Sequence, residues 1–201
     1  MFYMPGQPLI SNFNEGIRRI ILSGVVEETL GAIFLEQLSS FEYLDTQKPI
    51  SILIDTSGGC VSSGLMIFDA MKACSAPCVS IGIGKVMSIG SLILAAGEKG
   101  QRYIYPSTRV LLHEISSGAV GTLSEMDNSV AEARILQKMY VDLLAHETGQ
   151  STKKILCDIS RGDFYMSAGQ AISYGLADKI VPSRKPVKKQ TVLPKVAKKS
   201  K

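Results

Sequence analysis

A serine hydroxyl becomes a nucleophile when it is exposed, has a base within hydrogen-bond reach and stands beside donors for the oxyanion it creates. Ser88 lies in Gly84-Lys85-Val86-Met87-Ser88-Ile89-Gly90, after a strand-like run ending near Ile83 and before Leu92 to Ala96, which reads as a buried helix. At such a junction the free N–H groups of a helix N-terminus lie beside the hydroxyl, and the positive end of the dipole favours developing negative charge. The same position also suits a serine that merely caps the helix. Only two histidines can serve as the base. His113 ends the apolar stretch Arg109-Val110-Leu111-Leu112, whereas His146 falls in the last turn of a long helical pattern, where an imidazolium complements the dipole and a structural role suffices. For the acid that orients the histidine, Asp158, Asp163 and Asp178 all qualify, and spacing does not choose among them.

Other chemistries find less support. The four cysteines, Cys60, Cys74, Cys78 and Cys157, lack the two-residue spacing of zinc or thioredoxin motifs and read as reduced, mostly buried thiols. No Gly-x-x-x-x-Gly-Lys-Ser/Thr phosphate loop occurs, and Gly82-Ile83-Gly84-Lys85 is too short to be one. The Gly-x-Ser-x-Gly elbow of lipases and esterases fails because Val86 stands where the first glycine belongs.

The elements that must hold Ser88 and His113 follow from periodicity. From Arg19 onward, short β-branched runs alternate with segments of helical period, the pattern of an α/β domain. Ile20 to Leu22, Ile50 to Ile54, Cys78 to Ile83 and Arg109 to Leu112 read as strands. Leu30, Ile33, Phe34, Leu38 and Phe41 recur at helical spacing between the first two, with Glu27 and Glu28 at the positive end of the dipole. Gly58-Gly59 reads as a tight turn into a second helix over Val61 to Ala73. A long helix is expected from about Thr122 to Glu147, with Met126, Val130, Ala133, Leu136, Met139 and Leu143 on one stripe and Gly149 stopping it. With no strand nearby to pack on, it should project. A shorter helix starts at a Ser151 cap, and another runs from about Ala168 to Tyr174 and ends at Gly175.

Composition sets the remaining bounds. At 201 residues, 45% hydrophobic and 20% charged, the chain fits one globular domain. Its apolar runs are broken well short of the roughly 18 residues of a membrane span. Met1 to Pro8 lacks the basic start and apolar stretch of a secretory signal, so a cytoplasmic setting is expected, in a bacterial cytosol or alternatively a plastid stroma. The net charge of +4 conceals a division, because Arg184 to Lys201 carries eight Lys or Arg and no acid, which leaves residues 1–183 at −4. That segment reads as a disordered basic tail, and without an aromatic-interleaved basic patch on the body no nucleic-acid partner is expected.

From about Arg19 to Val181 the chain resembles the Clp protease proteolytic subunits, the ClpP family. The resemblance is carried by Ser88-Ile89-Gly90 with Leu94-Ala95-Ala96-Gly97 and Lys99-Gly100, by Arg102-Tyr103, Pro106 and Arg109 through His113, and by Thr148-Gly149-Gln150-Ser151. It continues in Asp163 with Met166-Ser167-Ala168 and in Tyr174-Gly175-Leu176-Ala177-Asp178-Lys179-Ile180. It implies an α/β fold of the ClpP/crotonase type, a repeated ββα spiral with the long helix projecting as a handle. Residues 1–18 then form a short axial segment, 19–183 the peptidase domain and 184–201 the tail. It further implies Ser88 as nucleophile, His113 as general base and Asp163 as the residue that orients it. Gly59 and Ile89 N–H groups would form the oxyanion hole, and Gly58, Glu114 and Ile115 the substrate-binding segment. The family works without metal or organic cofactor. Its partners are an AAA+ unfoldase ATPase, like or paralogous subunits in two stacked seven-membered rings, and unfolded polypeptide substrates.

Departures from the family pattern touch separate functions. Thr56-Ser57-Gly58-Gly59 replaces the usual Ser-Pro-Gly-Gly, Glu114-Ile115 replaces Gln-Pro after the histidine, and Gly162 stands where an arginine commonly joins ring-to-ring ion pairing. Ser51 and Leu53 occupy positions at which aromatic residues often line the unfoldase docking pocket, and the stretch before Ile20 is short. A divergent paralogue working in mixed rings, including a catalytically silent or weak subunit, accommodates these departures.

Overall fold

The computed structural model describes residues 17–182, so most of the expected axial segment and all of the basic tail lie outside the described residues. Strand and helix alternate first, as β1 (Arg19–Val26), α1 (Glu28–Leu44), β2 (Ile50–Gly59), α2 (Val61–Ala73), β3 (Cys78–Met87) and α3 (Ile89–Ala95). The short strands β4 (Tyr103–Ile104) and β5 (Arg109–Leu112) follow, then α4 (Leu123–Thr148), α5 (Thr152–Ile159), β6 (Phe164–Ser167), α6 (Ala168–Tyr174) and β7 (Lys179–Ile180). This is the α/β class expected from the alternating pattern.

The sheet runs β1-β2-β3-β4-β7, with β5 beside β3 and β6 beside β5. All pairings are parallel except β5 with β6. Strand β2 buries Ile50, Ile52 and Ile54 on one side of its pleat, and β1 does the same with Ile20 and Leu22. Each such side chain removed from water contributes about 1.5–3 kcal/mol. Every residue of α3 is buried, so this helix is apolar all round and forms the centre of the core.

The division of labour along β3 positions the site. Its first part pairs with β4 through Ile81 and Gly82, and its last part pairs instead with β5, at Lys85↔Arg109, Val86↔Val110 and Met87↔Leu111. Continued pairing is why β3 extends to Met87 rather than stopping near Ile83. The ends of β3 and β5 therefore emerge side by side.

Local signals place the helix ends where the sequence indicates. Thr122 and Glu125 form a reciprocal capping box on α4, and Gly149 closes it in a left-handed conformation. Ser151 accepts from the Lys154 N–H to cap α5. The first half of α4 has no buried residue, in keeping with a projecting helix. Its anchored face matches the expected stripe only in part, through Leu136 and Leu143, which pack against the core. Tyr140, Val141 and Leu144 are buried, while Val130 and Met139 are exposed, because only the last turns lie over α3 and α5.

That anchored end is locked by charge. Glu147 is buried and pairs with Lys72 and Lys99, each at 3.0 Å. Its carbonyl accepts from Lys99 Nζ and, at 3.1 Å, from Arg102. Burial alone would raise the Glu147 carboxyl, but hydrogen bonds and charge from the two ammonium groups outweigh it and hold the group below the usual range. Arg102 in turn grips Asp178 with two bonds, at 2.9 and 2.6 Å.

The thiols depart from expectation. All four are free, but only Cys78 is buried, while Cys74 is partly covered and Cys60 and Cys157 are exposed. Cys60 is the residue before α2, outside the helix's packed face, and Cys157 lies on the outer side of the amphipathic α5. Among the described residues no helix is long and apolar enough to cross a membrane, and no cluster of three or more metal-ligating side chains occurs.

Candidate active site

Strand β3 passes directly into α3 at Ser88, whose backbone sits at φ 57° and ψ −130°. It is the only non-glycine residue with positive φ among the described residues. Such a conformation costs about 1–3 kcal/mol and persists only where the surroundings impose it. Here the Ser88 N–H donates to Leu111 O at 2.9 Å, and the Ser91 hydroxyl reaches both Leu111 O, at 2.8 Å, and Val86 O, at 3.1 Å. The turn is thereby tied to β5. Ser88 holds the capping position of α3, yet its side chain makes no capping bond. Its Oγ lies instead 2.8 Å from His113 Nε2.

That contact follows from strand pairing. With Met87 opposite Leu111 in the parallel β3–β5 pair, the chain just past each strand arrives at the same edge of the sheet. The antiparallel pair of β5 and β6 then brings one of the three aspartates beside His113. Leu112 pairs with Phe164, so His113 and Asp163 are the next facing positions. Asp163 Oδ1 stands 3.7 Å from His113 Nδ1, an ion-pair approach longer than a hydrogen bond. The Asp163 side chain is 54% exposed, and Tyr165 Oη donates to it at 3.4 Å. Asp158 is occupied by Lys154, at 2.6 Å, and by Tyr174, at 2.9 Å, and Asp178 by Arg102. His146 lies far along α4, where its exposed ring contacts Glu147 at 3.2 Å.

The glycine pair ends β2 facing this turn. Gly58, at φ +92°, abuts the serine, since a Cβ there would lie 2.5 Å from Ser88 Cβ and 3.1 Å from its Oγ. Gly59, at φ +151°, is required for another reason, because its Cβ would meet Val26 O at 2.2 Å. Packing against β1 therefore demands glycine at 59.

A cleft of about 200 Å³ opens over Ser88 and His113, lined by Ser57, Gly59, Val61, Ile89, Ile115 and Tyr140. It continues past Gly59, Val61 and Ile115 into a wider trough of about 560 Å³ against α4, reaching Cys60, Glu132 and Leu136. Of the expected substrate segment, Ile115 lines both cavities, Gly58 stands against the serine, and exposed Glu114 lines neither.

Two residues escaped sequence reasoning. Tyr140, 2% exposed, donates to Ser88 O at 3.3 Å, and burial raises its phenol well above the ordinary value. Gln137, one turn earlier on α4, accepts the Ile115 N–H at 2.7 Å. Their i, i+3 spacing is visible in the sequence, but neither belongs to the apolar stripe that includes Leu136 and Met139.

Comparison with known proteins identifies the family. The Clp protease family model matches residues 10–184. The chain belongs to the Clp protease family. Among relatives of that family, it is 37% identical over 175 residues to the ATP-dependent Clp protease proteolytic subunit 2 of Chlamydia trachomatis serovar D, covering 87% of this chain and 86% of the relative. It is 38% identical over 171 residues to proteolytic subunit 1 of Chlamydia felis, covering 85% and 84%. Proteolytic subunit 2 of Chlamydia pneumoniae matches at 37% over 174 residues, covering 86% and 85%.

Proposed function

We propose that this Clp-family chain is a serine endopeptidase, the proteolytic subunit of an ATP-dependent compartmentalised protease. The observation that carries the reading is the 2.8 Å contact between Ser88 Oγ and His113 Nε2 at the floor of a cleft. In the mechanism His113 Nε2 takes the Ser88 proton as the oxygen attacks a peptide carbonyl, and the N–H groups of Gly59 and Ile89 receive the oxyanion. Supporting this, both residues line the cleft, and Ile89 is the first residue of α3, where an N–H has no intrahelical acceptor. His113 then protonates the leaving amine, and water, deprotonated by the same imidazole, releases the acyl group. Asp163 orients the imidazole through Nδ1. No metal or organic cofactor enters these steps.

The peptidase domain is assigned to residues 19–183, working in the cytoplasm on unfolded polypeptide supplied by an AAA+ unfoldase. Subunits, alike or paralogous, assemble as two stacked seven-membered rings with α4 at the ring-to-ring contact. A second reading, a silent or weak subunit of a mixed ring, draws on the 3.7 Å gap between His113 and Asp163. The two are separated by a fluorophosphonate probe applied to the protein with and without partner subunits, beside a Ser88→Ala control. Labelling lost only in the variant supports the peptidase. Absence of labelling in both, partners included, supports the silent subunit.

A further inference from the structure

Thr56, the seventh residue of β2, is fully buried and has no part in the proton transfers above. Its hydroxyl donates to Gly24 O at 2.5 Å and accepts the Gly58 N–H at 3.0 Å. Both bonds fall where the β1–β2 ladder slips, between the pairs Ser23↔Asp55 and Val25↔Gly58. The side chain thus supplies hydrogen bonds that the interrupted ladder does not. On its other side the methyl lies against the second residue of α3, since a Cβ on Gly90 would stand 2.4 Å from Thr56 Cγ2.

One buried side chain therefore touches the residue before Gly59 and the residue after Ile89. Those are the neighbours of the two N–H groups to which the peptidase reading assigns the oxyanion. We infer that Thr56 is a positioning residue that sets the distance and direction of the Gly59 and Ile89 N–H groups, its hydroxyl holding the glycine turn and its methyl the start of α3. The inference rests on the peptidase reading. Threonine suits the task because two heavy substituents on Cβ restrict χ1, so a fixed hydroxyl and a fixed methyl come together. The serine usual at this position in the family carries the hydroxyl alone.

The test uses the full chain assembled with whatever partner subunits its activity requires. Kinetics on a fluorogenic peptide, affinity for a peptide boronate that mimics the tetrahedral intermediate, and melting temperature are compared across variants. Thr56→Val keeps the shape and methyl but loses the hydroxyl. Removing an oxyanion donor outright costs about 10²–10³ in kcat, so displacing retained donors should lower kcat by about 10-fold or more. KM should stay within about 2-fold, because ground-state binding is not the interaction lost. Boronate affinity should fall in step with kcat, and Thr56→Ser should restore kcat to within about 3-fold while remaining less heat-stable.

A folded Thr56→Val with wild-type kcat and boronate affinity overturns the inference, as does a loss divided equally between kcat and KM that Thr56→Ser does not rescue. If Thr56→Val does not fold, Gly90→Ala carries the test, because its Cβ must displace the Thr56 methyl. That variant is expected to lose kcat without KM, and wild-type kcat in it overturns the inference. Unlabelled Ser88 in the assembled wild type would sink both the peptidase reading and this one. A labelled wild type with an unaffected Thr56→Val removes only the positioning role.

Discussion

Gly58→Ala tests whether the cleft is organised around Ser88. The added Cβ would lie 2.5 Å from Ser88 Cβ and 2.9 Å from Met87 O, and neither is the far end of a flexible chain. Relief to an ordinary contact near ~3.5 Å requires a displacement of about 1 Å. The Ser88–His113 contact, now 2.8 Å, would then open toward ~3.8 Å, beyond hydrogen-bond reach. Misplacement on this scale costs about 10²-fold in rate. Alanine at φ +92° also carries about 1–2 kcal/mol of backbone strain, worth a few degrees of melting temperature in a domain of this size. Gly149→Ala supplies the control, since Gly149 has φ +75° but nothing within 4 Å of its Cβ position. Both variants should lose a few degrees, and only Gly58→Ala should lose about 10²-fold in fluorophosphonate labelling and peptide turnover. Labelling of Gly58→Ala at the wild-type rate, or an equal loss in Gly149→Ala, refutes the reasoning.

Three further outcomes are expected. Glu147→Gln should destabilise the fold by about 2 kcal/mol, measured by urea unfolding, because a charge-assisted buried network loses its centre. Glu147 and Asp178 both titrate below their ordinary values in the fold. Their contribution is therefore complete above the unfolded carboxylate pKa of about 4 and is lost as pH falls through the depressed folded values, so wild-type stability should drop on acidification below about pH 4, and less steeply in Glu147→Gln. Among the thiols, Cys60 should be alkylated first and Cys78 last under limiting maleimide, read by peptide mapping. Hydrogen bonds from the backbone N–H and hydroxyl of Ser63 lower the Cys60 thiol, whereas burial pushes Cys78 up to about 12. Modification of Cys78 ahead of Cys60 would contradict this ordering.

The residues that were legible in advance are those whose signals are local. A cap such as Thr122 with Glu125, a stop such as Gly149 and a β-branched run such as Ile50 to Ile54 each declare themselves within one or two turns of chain, because capping bonds and pleat alternation involve near neighbours. Ser88 and His113 could be nominated on the same basis, as polar residues at the ends of apolar runs, and the family resemblance placed Asp163 with them.

Pairing across the sheet decided the rest. Asp158, Asp163 and Asp178 are equivalent by spacing, and only the β5–β6 register brings one of them opposite His113. The short strands β4, β6 and β7 were missed because they exist only as partners of distant segments, with too little length to carry a period. The face by which α4 is anchored depends on where α3 and α5 end beneath it, so Tyr140, Val141 and Leu144 are buried, while of the expected stripe only Leu136 and Leu143 pack against the core. What the chain determined by itself was the identity of the groups able to do chemistry and the elements carrying them, since near-neighbour interactions set those. Their distances, the freed side chain of Ser88, the clearance made by Gly58 and the buried hydroxyl of Thr56 were decided by the fold, since each depends on contacts between segments that pairing and packing alone bring together.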